Sequence, residues 1–409
     1  MKDLEKLNKD ALIYHQGGKV AISPKTKLDN ENDLSLAYSP GVAAPCKEIQ
    51  KNPQLAYDYT SKGNLVAVIS NGTAVLGLGD IGALAGKPVM EGKAVLFKKF
   101  ADIDAFDIEV DETDPDKFID IIRAIAPTFG GINLEDIKAP ECFYIEKKLK
   151  EILNIPIMHD DQHGTAIIST AGIINGAKIA NKSIESLKIV VIGAGGAAIA
   201  CAKMAKQLGA KEIIMFDSKG AITTNRKDLN SAKKEFATDR EINSYKEALD
   251  GADVLLGLSR ANILKATDIE NMNENPMIFV MSNPDPEIDP LLARQARPDA
   301  IIATGRSDYP NQINNVLGFP YIFKGALMVQ ARSINEEMKM VAANALAELA
   351  QKEIPQDLKE ELEKIHNRKF EFGKEYIIPS PFDTRLKEYV SNAVAQSAIN
   401  SGVARKKNL

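Results

Sequence analysis

Leu187-Lys188-Ile189-Val190-Val191-Ile192-Gly193-Ala194-Gly195-Gly196-Ala197-Ala198 is the stretch on which the fold turns. Residues 187–192 form an apolar, β-branched run of strand length. The glycines follow at once, in the order G-x-G-x-x-A, and residues 197–208 carry a helical pattern. Gly193, Gly195 and Gly196 permit a tight turn and close backbone approach to a pyrophosphate, with Ala198 at the last position of the fingerprint. The helix N-terminus then stabilises the negative charge. Asp217 ends the next strand, about where an acid meets an adenine ribose. A carboxylate there repels a 2′-phosphate and so favours NAD, while Lys219 and Arg226 nearby keep NADP open.

Working outward, strands are expected at 212–216, 253–258, 277–281 and 300–303, separated by helical segments. That alternation predicts a parallel, doubly wound sheet. Upstream, 65–70 and 74–78 flank Asn71-Gly72 and read as a β-hairpin with a type I′ turn. A helix is expected over 92–100 and a strand over 106–110. Asp114 and Pro115 cap a helix over 117–126. A further helix over 140–153 leads to a strand at 155–158. The alanine- and glycine-rich segment 165–181 reads as a buried helix joining two domains. The expected fold class is α/β: a mixed α/β substrate and metal domain over 1–163, a Rossmann-type dinucleotide-binding domain over 164–380, and a helical tail over 381–409.

Composition agrees with that division. A chain of 409 residues exceeds one ordinary core, so two domains are the prior expectation. With 44% hydrophobic and 26% charged residues, the chain has the composition of a soluble globular protein. A net charge of −5 argues against a nucleic-acid partner. Cys46, Cys142 and Cys201 form no Cys-x-x-Cys pair, which disfavours disulfide and thiolate-zinc frameworks. The opening residues Met1-Lys2-Asp3-Leu4-Glu5-Lys6 lack the apolar core of a signal peptide, and no apolar run spans a bilayer. A cytoplasmic protein with no membrane partner is expected.

Between the two halves lies Met158-His159-Asp160-Asp161-Gln162-His163-Gly164-Thr165-Ala166, with a second acidic pair upstream at Glu135-Asp136. Glu135, Asp136, Asp160 and Asp161 offer hard oxygen ligands, suited to Mg²⁺ or Mn²⁺ rather than zinc. His159 and His163 stand at i, i+4, a spacing that also serves zinc. The segment lacks the H-E-x-x-H pattern, however, and both histidines read as structural.

These residues resemble the malic enzyme family. The matching segments are Leu36-Ala37-Tyr38-Ser39-Pro40-Gly41-Val42-Ala43, Leu76-Gly77-Leu78-Gly79-Asp80-Ile81-Gly82 and Glu91-Gly92-Lys93-Ala94. Further matches are Leu134-Glu135-Asp136, the His159–Ala166 motif, Ser282-Asn283-Pro284 and Asn314-Asn315-Val316. Their order and the Tyr-Ser-Pro-Gly-Val-Ala form look like the short bacterial type. The acyltransferase-like extension that some longer bacterial relatives carry is not expected within the chain.

The resemblance implies oxidative decarboxylation of (S)-malate to pyruvate and CO₂ with NAD(P)⁺, by a homodimer or higher oligomer. By similarity, Glu135, Asp136 and Asp161 ligate the metal, Lys93 is the general base on the C2 hydroxyl, and Tyr38 protonates C3 of enolpyruvate. Asp160 assists Lys93. Asn283 and Asn315 hold substrate carboxylates, and Asn283 also borders the cofactor. The chemistry asks for these residue types: a lysine base needs burial or a nearby dication to bring it down from about 10.4, and enolpyruvate needs an acid. One departure stands out. Animal-type members place an arginine on the substrate carboxylate, where this chain reads Asn71-Gly72-Thr73-Ala74; Thr73 is the expected hydrogen-bonding substitute. Two rival readings are a malolactic-type enzyme with bound NAD and an inactive nucleotide-binding regulator.

Overall fold

In the computed structural model, residues 4–75, 77–366 and 368–409 are described. They build two sheets. The N-terminal sheet has the order β2-β1-β3-β4, from β1 (Leu65–Ser70), β2 (Asp104–Glu109), β3 (Gly131–Leu134) and β4 (Ile157–His159), all parallel. The second sheet runs β10-β9-β8-β5-β6-β7. Its strands are β5 (Lys188–Ile192), β6 (Glu212–Asp217), β7 (Gly220–Ala221), β8 (Val254–Gly257), β9 (Met277–Val280) and β10 (Ile301–Thr304). Only β7 is antiparallel. Strand order reverses between β5 and β8, the arrangement that places a ligand crevice at the carboxyl end of β5.

The expected hairpin at Asn71-Gly72 does not form. All six residues of β1 are buried, with β2 on one side and β3 on the other, both parallel. A strand covered on both faces reads as an unbroken apolar run, and Leu65–Ser70 lacks the alternation of a half-solvated hairpin. After β1 the chain loops instead: Ile81 and Gly82 donate to Gly72 O, both at 3.1 Å. Val75 makes only an isolated antiparallel bridge to Gly79; Leu76, in the expected second strand, lies outside the described residues.

Several helices run longer than their patterns suggested. Ala83–Ala101 replaces the expected 92–100, because Pro88 falls within an otherwise continuous buried face containing Met90, Lys93, Ala94 and Phe97. The helix after β4 spans Asp160–Ile179, so the expected boundary at 163/164 falls inside one continuous element. Asp114 caps Pro115–Ile125 through the amides of Asp116 and Lys117, as expected.

The largest apolar core is shared by both halves of the chain. It joins Val66 and Val68 of β1, Phe97, Ile167 and Ala171 of the Asp160–Ile179 helix, and Val191 of β5. Phe97 packs edge-on against Phe319 and Phe323 at 4.8 and 5.4 Å between ring centres, which docks the Ala83–Ala101 helix on the Phe319–Met328 helix. The C-terminal helix Leu386–Asn400 buries Val390, Val394 and Ala398 in the same core. Burial of this kind stabilises by roughly 25 cal/mol per Å² of apolar surface, so the tail is an integral layer. No helix of the described residues is long and apolar enough to cross a membrane.

Candidate active site

Four chain segments converge at the carboxyl ends of β3 and β4. Glu135 and Asp136 leave β3, and Glu135 N donates to Ile69 O at 2.9 Å. Asp160 and Asp161 open the helix after β4. Asp161 Oδ2 accepts from the Asp136 amide at 2.8 Å, which ties the two acidic pairs together. One carboxylate oxygen from each of Glu135, Asp136 and Asp161 lies within 4.8 Å of the others.

Lys93 enters from the Ala83–Ala101 helix and is buried between Asp160 Oδ2 at 2.7 Å and Glu135 Oε1 at 2.8 Å. Its ammonium also sits 4.4 Å from the centre of the Phe319 ring, a favourable cation–π placement. Asn315 Nδ2 donates to the same Asp160 oxygen at 2.5 Å. This crowding requires Gly164: a Cβ there would lie 2.2 Å from Asp160 Oδ1 and 2.6 Å from the Asn315 Cβ.

The chain's own carboxylates shift the lysine upward, opposite to the effect expected of a nearby dication. Burial alone would pull Lys93 down, but Asp160, Glu135 and Asp161 outweigh it and hold the ammonium above its ordinary value. Burial pushes Glu135 and Asp160 up to about 7 in spite of the lysine. Burial also raises Asp161, with Lys93 opposing. Among the described residues, four carboxyls gather around the Lys93 ammonium and make the centre acidic. The donor set is all carboxylate oxygen, which matches a hard dication such as Mg²⁺ or Mn²⁺. The histidines do not join it. Neither belongs to the three-carboxylate group, His163 Nε2 is engaged by Glu146 at 2.9 Å, and burial pushes both rings down to about 4.

The glycine loop lies against this centre. Gly193 has φ +125°, and a Cβ there would fall 2.2 Å from Leu258 O, so glycine is required for the turn. Gly195 caps the Gly196–Leu208 helix without a side-chain bond, Ala198 is buried beneath it, and Gly196 packs on Gln162, next to Asp161. Asp217 ends β6, but its carboxylate is not open to a ribose. Arg226 donates to both its oxygens at 2.8 Å, and Lys233 adds a third contact at 2.8 Å. Burial opposes that charge, yet these donors hold the carboxyl well below the usual range. The argument for NAD from a bare acid therefore fails in the structure.

Of the other expected residues, Thr73 lies beside the Asp136 segment, where the Ala74 amide donates to Asp136 O at 3.0 Å. The Thr73 hydroxyl donates to Asn71 Oδ1 at 2.7 Å and accepts from Lys138 N at 3.0 Å. Its proton is committed to the loop, so it is no free donor for a carboxylate. Asn283 is exposed after β9, beside Gly305, and its carbonyl faces Gly77. Tyr38 is 70% exposed, and among the described residues no hydrogen bond links it to the Lys93 cluster.

Two family models match the chain: the malic enzyme N-terminal domain over 17–150 and the malic enzyme NAD binding domain over 162–373. The chain belongs to the malic enzyme family. The NADP-dependent malic enzyme of Halomonas elongata is 55% identical, with 97% of this chain and 94% of that one covered. That of Salmonella typhimurium is 57% identical over 98% of this chain and 54% of its own. The chain thus spans about half the length of the Salmonella relative. A malic enzyme structure from Pyrococcus horikoshii superposes with a TM-score of 0.90 at 43% identity, covering 98% of this chain and 93% of that chain. The second matched model, described as an NAD binding domain, covers the whole of the β5–β10 sheet. Sequence reading passed over Glu146 and Lys339, and it took Lys233 for a solvated surface charge, whereas it contacts Asp217. The signal for Lys339 was a cation on the apolar face of a helix, among Met338, Ala342 and Ala343.

Proposed function

We propose that this chain catalyses divalent-metal-dependent oxidative decarboxylation of (S)-malate to pyruvate and CO₂, with NADP⁺ as the oxidant. The observation that carries the reading is Lys93 buried between Asp160 and Glu135, with Glu135 shared by the three-carboxylate group. Glu135, Asp136 and Asp161 are the ligand set. When bound, a hard dication draws electron density toward the substrate C2 oxygen, and the nicotinamide supplies the hydride acceptor.

The chain's own groups handle the protons. Once the charges of Glu135 and Asp161 are taken up as ligands, burial prevails and favours neutral Lys93, the form that accepts the C2 hydroxyl proton. Asp160 holds the amine, Asn315 holds Asp160, and the acid is placed to relay the proton from the amine. Asn315 and Asn283 orient the substrate carboxylates. Tyr38 returns a proton to C3. Incubation with malate, Mn²⁺ and NADP⁺ should yield reduced nicotinamide, and omission of the metal should abolish it. No turnover with either NADP⁺ or NAD⁺ would overturn the reading.

The choice of NADP⁺ rests on the end of β6. Arg226, Lys233 and Lys219 surround Asp217 and Asp228 there, giving three cations against two acids beside the expected adenine ribose. Such a cluster attracts a 2′-phosphate. The names of the Salmonella and Halomonas relatives support the same choice.

Tyr38 reaches a site by way of a second copy of the chain. The helices Glu31–Ala37 and Ala43–Lys51 around it bury no residue, yet the arm exposes Leu12, Ile13, Tyr14, Ile22, Leu28 and Leu36. Apolar surface of that kind marks an interface, and exchange of an identical arm is a low-cost route to a homodimer. A cytoplasmic location completes the reading, supported by three free cysteines.

A further inference from the structure

Lys339 is 1% exposed on the inner face of the Glu336–Gln351 helix, and the chemistry above makes no use of it. A buried ammonium is tolerated only with partners. Among the described residues Lys339 has two, Glu336 Oε1 at 2.5 Å and His163 Nδ1 at 3.2 Å. An ammonium only donates, so His163 Nδ1 accepts, and the ring proton is assigned to Nε2. That nitrogen faces both oxygens of Glu146, at 2.9 and 3.0 Å. Glu146 Oε1 also accepts the backbone N–H of His159 at 3.1 Å and pairs with Lys150 at 2.7 Å.

One carboxylate therefore grips both ends of the five-residue stretch from His159 to His163. Asp160 and Asp161 lie between the two grips, in the first turn of a helix whose N-cap, His159, makes no side-chain capping bond. We propose that Glu146 and Lys339 are positioning residues that aim Asp160 at Lys93 and Asp161 at the metal, with Lys339 acting through His163. Lys339 selects the His163 tautomer that can donate to Glu146, and Glu146 then anchors the turn. The inference rests on the assignment of Asp161 as a metal ligand. Partners that orient ligands in this way are typically worth 10–100-fold in metal affinity.

The test measures Mn²⁺ affinity by the electron paramagnetic resonance of the free ion, on the full chain, with NADP⁺ affinity as the control. Lys339→Met should weaken Mn²⁺ binding by roughly 10–100-fold and leave NADP⁺ binding within about twofold. His163→Gln should lose a similar amount, and the double variant should be no weaker than His163→Gln alone. Unchanged Mn²⁺ affinity in Lys339→Met, or losses that multiply in the double variant, would overturn the inference. Should Lys339→Met fail to fold, Glu146→Gln keeps the volume but removes one acceptor oxygen. It should then lose about tenfold in Mn²⁺ affinity, and wild-type affinity in that variant overturns the inference. A wild-type chain that binds no Mn²⁺ would instead refute the metal assignment itself.

Discussion

Lys93 and Asp160 form a buried ion pair, Nζ to Oδ2 2.7 Å, between the Ala83–Ala101 helix and the helix that carries the chain from the first sheet to the second. The pair is buried, with Phe319 over the amine and Asn315 on the acid. It joins proton transfer to the neighbouring carboxylates, because Lys93 contacts Glu135 as well.

Lys93→Ala removes the base and leaves Asp160 buried without its cation. Malate oxidation should fall by at least the 10²–10⁴-fold attributed to general base catalysis, while NADP⁺ binding stays within about twofold. Steady-state kinetics beside a fluorescence titration with NADP⁺ would check both halves.

Gly164→Ala tests the packing that holds the pair. Its Cβ would collide with Asp160 Oδ1 at 2.2 Å and the Asn315 Cβ at 2.6 Å. Overpacking of this kind costs typically 1–3 kcal/mol, and displacement of Asp160 should depress kcat as well. A variant with wild-type melting temperature and turnover would show that the site has slack.

Arg226→Ala should raise the KM for NADP⁺ and leave that for NAD⁺ nearly unchanged. Hydrogen bonds to charged groups are worth about 1.5–3 kcal/mol, which corresponds to roughly 10–100-fold. Equal losses with both cofactors would remove Arg226 from phosphate recognition.

Much of this site was legible locally, and the rest was not, for physical reasons. The glycine loop could be read because its geometry depends on backbone freedom at Gly193, fixed within a few residues. The acidic pairs were visible as pairs, but the bond from Asp136 N to Asp161 crosses between strands and has no sequence signal. Asn71-Gly72 misled because turn chemistry is local, whereas pairing of β1 on both sides is decided by distant strands. Asp217 was found in position, yet its meaning depends on Arg226 and Lys233 folding back onto it. Tyr38 illustrates the limit most plainly: its motif is present, and its own chain leaves it exposed.

Complementation between inactive variants checks the exchanged arm. If each site combines Lys93 of one copy with Tyr38 of the other, a Lys93→Ala/Tyr38→Phe heterodimer has one intact site. Equal mixing with free exchange should then restore about a quarter of wild-type activity, as a symmetric dimer requires. No recovery in a verified heterodimer would place both residues on one chain.

Asp253 offers a pH test of stability. It accepts from Lys182 Nζ at 2.6 Å, Asn273 Nδ2 at 2.9 Å and Lys188 N at 2.9 Å. Burial alone would raise the carboxyl, but these donors hold it below its ordinary value. A depressed acid stabilises the fold above its unfolded pKa, near about 3.9, and that contribution fades as pH falls through the folded value. Asp253→Asn should therefore cost on the order of 1–3 kcal/mol at neutral pH and progressively less in acid. A gap between the two proteins that widens on acidification would reverse the sign.

The product balance from malate tests the central claim most directly. With Mn²⁺ and NADP⁺, pyruvate, CO₂ and NADPH should appear in equal amounts, with no lactate. Lactate and CO₂ without net NADPH, as a malolactic reaction gives, would contradict the account.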